Sequence, residues 1–197
     1  MTLAREARRS ARRRSRDRGF TLVELMAVVA VVAILATLSV FGVRKYILAS
    51  KTSEATQMIG LIKSAQEQYK AETFAYKDIS KVGKLLGYGT FYPSTTVLTR
   101  TKMAWGADSS DPDIAKGWRE LGVSASAPVM YIYGCAAGPG SVPPAAPGIT
   151  IGGYPTAASG QPWYLIEAVA DLDGNGTVGT YVGISQTAEI FHDKEEE

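Results

Sequence analysis

Two groups of residues in this chain have types and spacings suited to chemistry. The first is Glu24, four residues after Phe20, at the head of an uncharged run from Leu25 to Val43. Four residues make about one helical turn, so Phe20 and Glu24 share a helix face. A carboxylate in a membrane helix costs roughly 2.5–3.5 kcal/mol near the bilayer centre and less towards an interface, so its presence points to a function. If the chain were cut after Gly19, Phe20 would offer an α-ammonium group to that carboxylate, in the same subunit or in a packed neighbour. A partnered carboxylate stays charged where an isolated one would take up a proton.

The second group is Asp171, Asp173 and Asn175, followed by Gly176 and Thr177. Side-chain oxygens at alternate positions, a glycine for a sharp turn and the Thr177 carbonyl resemble the first half of a calcium loop. The other reading is a hairpin turn, in which Asp, Asn and Gly tolerate positive φ and bond their own backbone. Val182 stands where the closing glutamate of a calcium loop would be, so Glu167 or Glu189 would have to complete the shell from elsewhere. Both readings stay open: the chain requires no cofactor, and calcium at 171–177 is the one candidate.

Composition excludes much else. The 197 residues include one cysteine, Cys135, and one histidine, His192, which removes intrachain disulfides, Cys-cluster metal sites and most Ser-His-Asp or Cys-His catalysis. The chain does not read as an enzyme. Its net charge of +2 conceals an asymmetry: residues 1–19 carry eight arginines against Glu6 and Asp17, a net +6. The remaining chain has 13 basic and 17 acidic groups, a net −4. A basic leader thus precedes a mildly acidic body, and nucleic acid is not an expected partner.

The elements that position Glu24 begin with the apolar run. Its nineteen residues, Leu25–Val43, span roughly 30 Å as a helix, enough for a bilayer core and longer than the apolar core of a removed secretory signal. The arginines ahead of it place the amino terminus in the cytoplasm and the body beyond Val43 on the outer side. From Arg44 onwards apolar residues recur as Leu48, Ala55, Ile59, Ile62 and Tyr69, one face of a continuing helix, with Lys51, Glu54, Lys63, Glu67 and Lys70 on solvated surface. The organisation expected is therefore a leader over 1–19, a membrane helix over 20–43, its amphipathic half over 44–75 and a head over 76–197.

Within the head, Asp111 and Pro112 begin a short helix that Gly122 stops, with Ile114, Trp118 and Leu121 on one side. Strands are expected over 128–134, 163–170, 178–184 and 186–192. Seven glycines and six prolines in 134–162 mark a long loop, with a short edge strand at Ile149–Ile151. Lys77, Lys81 and Lys84 share a face that reads as a solvated helix end, and Lys194–Glu197 as a solvated tail. The fold class is α+β, one long N-terminal helix on an antiparallel sheet of three or four strands.

The run Arg18, Gly19, Phe20, Thr21, Leu22, Val23, Glu24, Leu25, Met26 and the aliphatic stretch after it resemble the class III signal of type IV prepilins and type II secretion pseudopilins. The resemblance covers about thirty residues. It implies cleavage between Gly19 and Phe20 by a prepilin peptidase, N-methylation of Phe20, and assembly through Glu24. The implied partners are copies of itself, other pilins, an inner-membrane assembly platform and, before assembly, membrane lipid. The implied location is the inner membrane as precursor, with a periplasmic head, and then an extracellular pilus or a periplasmic pseudopilus. Many relatives carry glycine at the position of Ala33 and proline at that of Phe41, features linked to helix melting in the filament. A pseudopilin of a secretion system, or an uncleaved membrane-tethered binding module, are the alternatives to a pilus subunit.

Overall fold

Thr21 is followed by 52 residues without a proline, and they form one helix, α1, Leu22–Thr73. The computed structural model describes residues 19–80, 90–94, 96, 100–106, 111–140 and 160–193. The leader over 1–18, Lys81, Lys84, the edge strand at Ile149–Ile151, most of the Gly/Pro-rich loop and the tail Lys194–Glu197 lie outside the described residues. By their contacts the residues divide into two units, Met1–Val43 and Arg44–Glu197.

In the first unit, Leu22–Val40 is long and apolar enough to cross a membrane, and none of it is buried by the protein. Val28, Val29, Val31 and Ile34 point to different sides of the helix and all are exposed. A helix apolar all round, with no protein covering it, matches a lipid environment or a helical assembly.

In the second unit, α1 turns amphipathic. Ala55, Met58, Ile59, Ile62 and Gln66 are buried at intervals of three, one, three and four. They face a four-stranded antiparallel sheet of sequential order: β1 Ile132–Gly138, β2 Trp163–Ala170, β3 Gly179–Ile184 and β4 Ile190–Asp193. Strand alternation divides the core in two. Cys135, Tyr164, Ile166, Ala168 and Tyr181 join the helix residues, while Ile132, Ala136, Trp163, Leu165, Val169, Val182 and Ile184 form a second cluster with Phe91. The helix comes so close to β3 that a Cβ on Gly183 would sit 2.6 Å from Ile59 Cγ2 and 2.8 Å from Lys63 Cε. The outer edge of β1 is covered: Ile79 and Ser80 donate their amides to the Cys135 carbonyl, and Tyr92 exchanges both backbone bonds with Tyr133. Helix α2, Pro112–Glu120, starts as expected, with the Asp111 side chain accepting from the Asp113 amide, and Gly122 ends it at φ +75°.

Three expectations need correction. The last strand is Ile190–Asp193 instead of 186–192, since the residues before it form a turn. The first strand is Ile132–Gly138 instead of 128–134, so the loop does not begin at residue 134. Gly134, Cys135, Ala136, Ala137 and Gly138 read as loop because they are small, yet smallness is what their place requires: a Cβ on Gly138 would lie 2.9 Å from the Trp163 ring. Val129 pairs instead with Met103 in an isolated bridge. Lys51, Glu54 and Lys63 are also not simply solvated. Lys51 donates to the Leu172 carbonyl, Lys63 to those of Thr187 and Glu189, and Glu54 accepts the Met130 amide. Their aliphatic stems lie along the packed surface while their polar ends tie the helix to the sheet's loops.

Candidate processing and assembly site

The start of α1 is a reciprocal cap. Glu24 Oε2 accepts the Thr21 amide at 2.9 Å and the Thr21 hydroxyl at 2.9 Å, while the Glu24 amide donates to Thr21 Oγ1 at 3.2 Å. The Thr21 carbonyl accepts the first intrahelical bond, from Leu25. This is a capping box, which satisfies helix N–H groups that otherwise have no partner inside the helix. It also sets a negative group at the positive end of the helix dipole. The signal for it, threonine three residues before glutamate, is plain in the sequence, but attention to the Phe20–Glu24 spacing passed over it.

The cap involves one carboxylate oxygen. Oε2 carries both bonds, and among the described residues Oε1 accepts none. Phe20 lies just outside the helix and is 87% exposed, and nothing lies within 4 Å of a Cβ placed on Gly19. The Gly19–Phe20 peptide is thus an open stretch of backbone ahead of a capped helix, the kind of segment a protease can reach. Glu24 is oriented from within its own chain and retains an oxygen for a second donor.

In the loop between β2 and β3 the side-chain oxygens are turned to the loop's own N–H groups. Asp171 Oδ1 accepts the Gly174 amide at 2.6 Å and Oδ2 the Gly176 amide at 3.0 Å. Asp173 accepts the Asn175 amide and side-chain N–H, and Asn175 Oδ1 accepts the Thr177 amide. Gly174 and Gly176 take φ +73° and +87°, which the turn requires. Arg100 donates to the Asp173 carbonyl. Calcium takes six to eight oxygen ligands, and here the side-chain oxygens serve the loop's own N–H groups. Among the described residues no cluster of three acidic, His or Cys side chains is suited to a metal. These oxygens fit a hydrogen-bonded turn.

Glu167 does not extend towards that loop. It is buried on β2, opposite Gly134 on β1 and Val182 on β3, and its Oε2 has no hydrogen-bond partner. Burial alone pushes its carboxyl up to about 8. Glu189 is exposed on the approach to β4. Cys135 is wholly buried, and burial pushes its thiol up to about 12, which suits a packed side chain and not a reactive thiolate. Gln66, which the sequence reading did not single out, holds this region together. Its amide donates to the Lys77 carbonyl and to Cys135 Sγ and accepts the Lys77 amide. A polar residue four positions after Ile62, on the buried face, was its signal. Lys77 pairs with Glu120, and His192 stacks on Tyr181 with ring centroids 5.9 Å apart.

Compared with known protein families, residues 14–40 match the model of the prokaryotic N-terminal methylation motif. No curated protein and no solved structure matches the chain.

Proposed function

We propose that this chain, which carries the class III signal of type IV pilins and pseudopilins over residues 14–40, is a structural subunit of a type IV pilus. The α+β, pilin-like fold and the uncovered apolar helix fit a membrane-anchored prepilin-like precursor. The observation that carries the finer reading is Glu24: a carboxylate oriented by Thr21, one turn from Phe20, at the head of a nineteen-residue apolar span.

In this reading the precursor waits in the inner membrane with α1 in lipid. Prepilin peptidase hydrolyses the Gly19–Phe20 bond, leaving a carboxylate on Gly19 and an α-amino group on Phe20, which is then methylated. Removing the arginine leader takes away the charge that holds the amino terminus in the cytoplasm. As the subunit enters the growing filament on its assembly platform, the α-ammonium of one subunit's Phe20 meets the Glu24 carboxylate of another. Oε2 stays with its own helix cap and Oε1 takes the incoming donor. The ion pair offsets the cost of a carboxylate in an apolar core and fixes the axial register of neighbouring helices. The stalk helices exchange lipid contacts for contacts with one another, and no catalytic step belongs to the chain itself.

Glu24→Ala tests this. The variant is expected to be made and cut after Gly19, yet to remain in the membrane with few filaments. Normal filaments from it would overturn the assigned role. Assembly confined to the periplasm would mark a secretion pseudopilus in place of a surface pilus.

A further inference from the structure

Asn175 is the only asparagine in the 197 residues, and it stands in the run Asp173, Gly174, Asn175, Gly176, Thr177. An asparagine followed two places on by threonine, with no proline between, is the acceptor pattern for N-linked sugar. The turn itself does not account for an asparagine here. Its positive φ values fall on Gly174 and Gly176, so Asn175 does not serve for backbone freedom. Nor does the side-chain oxygen require it: Asn175 Oδ1 accepts the Thr177 amide just as Asp173 Oδ1 accepts the Asn175 amide, and an aspartate would do the same. What an aspartate lacks is the side-chain nitrogen, which donates to Asp173 Oδ2 at 3.0 Å.

The place is open to a second protein. Asn175 is exposed in the turn that joins β2 to β3, with a glycine on each side, and nothing lies within 4 Å of a Cβ placed on Gly176. The Thr177 backbone amide closes the turn, while its hydroxyl makes no hydrogen bond among the described residues. The fold therefore does not use the hydroxyl that the acceptor pattern demands. The arginines ahead of the apolar span put the head on the outer side of the membrane, the side on which secreted chains receive N-linked sugar.

We propose that Asn175 is a glycosylation site, whose side-chain nitrogen takes an oligosaccharide from a polyisoprenyl-diphosphate donor on a membrane-bound transferase. Nδ2 bonds to the anomeric carbon as the bond from that carbon to the diphosphate oxygen breaks. The lipid diphosphate leaves with the electron pair, and one Nδ2 proton passes to a base on the transferase. An amide nitrogen is a poor nucleophile because its lone pair is shared with the carbonyl. Asp173 is the positioning residue: its carboxylate accepts from Nδ2 and raises the electron density there. The Thr177 hydroxyl is the group the transferase reads. The sugar replaces one of two Nδ2 hydrogens, so the product keeps an N–H for Asp173, and Oδ1 keeps the Thr177 amide. The turn that presents the acceptor thus survives the modification. The site rests on the outer location of the head and not on filament assembly.

The test uses the full chain recovered from the cells that make it. The chain is digested, and the fragment holding residue 175 is weighed and fragmented by mass spectrometry. A sugar increment on Asn175 is expected, lost in Asn175→Gln and Thr177→Val and kept in Thr177→Ser. The two Thr177 variants both retain the backbone amide that closes the turn, so a difference between them reports the hydroxyl and not folding. Asp173→Asn keeps an acceptor oxygen and removes the charge. It should lower the sugar-bearing fraction at least fivefold, and Asp173→Glu should restore it; equal fractions would overturn the role of Asp173. A wild-type chain that has lost its leader and carries no sugar at 175 overturns the site and leaves the filament reading standing. Sugar at 175 on a chain that keeps its leader overturns the filament reading and leaves the site. An increment that persists in Asn175→Gln lies elsewhere and overturns the assignment. In the intact subunit the sugar adds to the methyl group on Phe20, and the Asn175→Gln chain should carry the methyl group alone.

Discussion

Raising the pH from 4.5 to about 8 should destabilise the head through one residue, Glu167. Its side chain is 2% exposed, its cross-strand neighbours are Gly134 and Val182, and its same-face neighbours along β2 are Leu165 and Val169. Among the described residues no cation faces it, and Oε2 has no hydrogen-bond partner. Burial therefore acts unopposed, and the carboxyl rises from 4.5 to about 8 on folding. The folded chain holds this proton more tightly than the unfolded chain. Above pH 4.5 the unfolded state has released it and the folded state has not, so stability declines as pH rises, by about 1.4 kcal/mol per unit at most. Below 4.5 and above about 8 the contribution is level. Across that window the loss reaches on the order of 4–5 kcal/mol as an upper bound, a large part of a typical domain's 5–15 kcal/mol. Glu167→Gln keeps the shape and removes the titration. The assay is urea unfolding of the detergent-solubilised chain at pH 5 to 9, followed by tryptophan fluorescence, since Trp105, Trp118 and Trp163 all belong to the head. The unmodified chain should lose stability with rising pH and the variant should show that slope removed. Equal slopes in the two proteins would refute the reasoning.

Three further outcomes follow from the packing. Gly183→Val should cost about 1–3 kcal/mol, read as a lower urea midpoint, because the new side chain meets Ile59 and Lys63. Wild-type stability there would mean the helix lies further from β3. Gln66→Leu leaves the Lys77 amide and carbonyl without their partner, and should lower stability by about 1–3 kcal/mol without altering the far-UV spectrum. Asp171→Ala should lower the melting temperature by removing the acceptor for the Gly174 and Gly176 amides, while chelator or millimolar calcium should leave the unmodified head's melt in place. A calcium-dependent rise would instead establish the loop as a cation site.

Legibility in the sequence varied with the physics of each element. Strands β2 and β3 and their turn were readable because β-branched and aromatic runs flank an Asp/Asn/Gly cluster. Helix α2 was readable from Asp111, Pro112 and Gly122. The true span of β1 was not, because its residues are chosen for close packing against Trp163 and the helix, and small side chains carry no strand signature. Lys51 and Lys63 looked like solvent-facing charges because spacing gives the direction of a side chain's base, not where a long chain ends. Glu167 sits in a strand buried on both faces, and no alternation survives there to mark which way it points. At the amino terminus, spacing alone exposed Glu24, while the hydrogen bonds that divide its two oxygens needed coordinates.

The most direct measurement is the intact mass of the protein recovered from cell-surface and membrane fractions. A processed filament subunit should appear as a species beginning at Phe20 and heavier by a single methyl group. A full-length species that still carries its arginine leader would contradict it, and would leave the head as a binding domain on an uncut membrane tether.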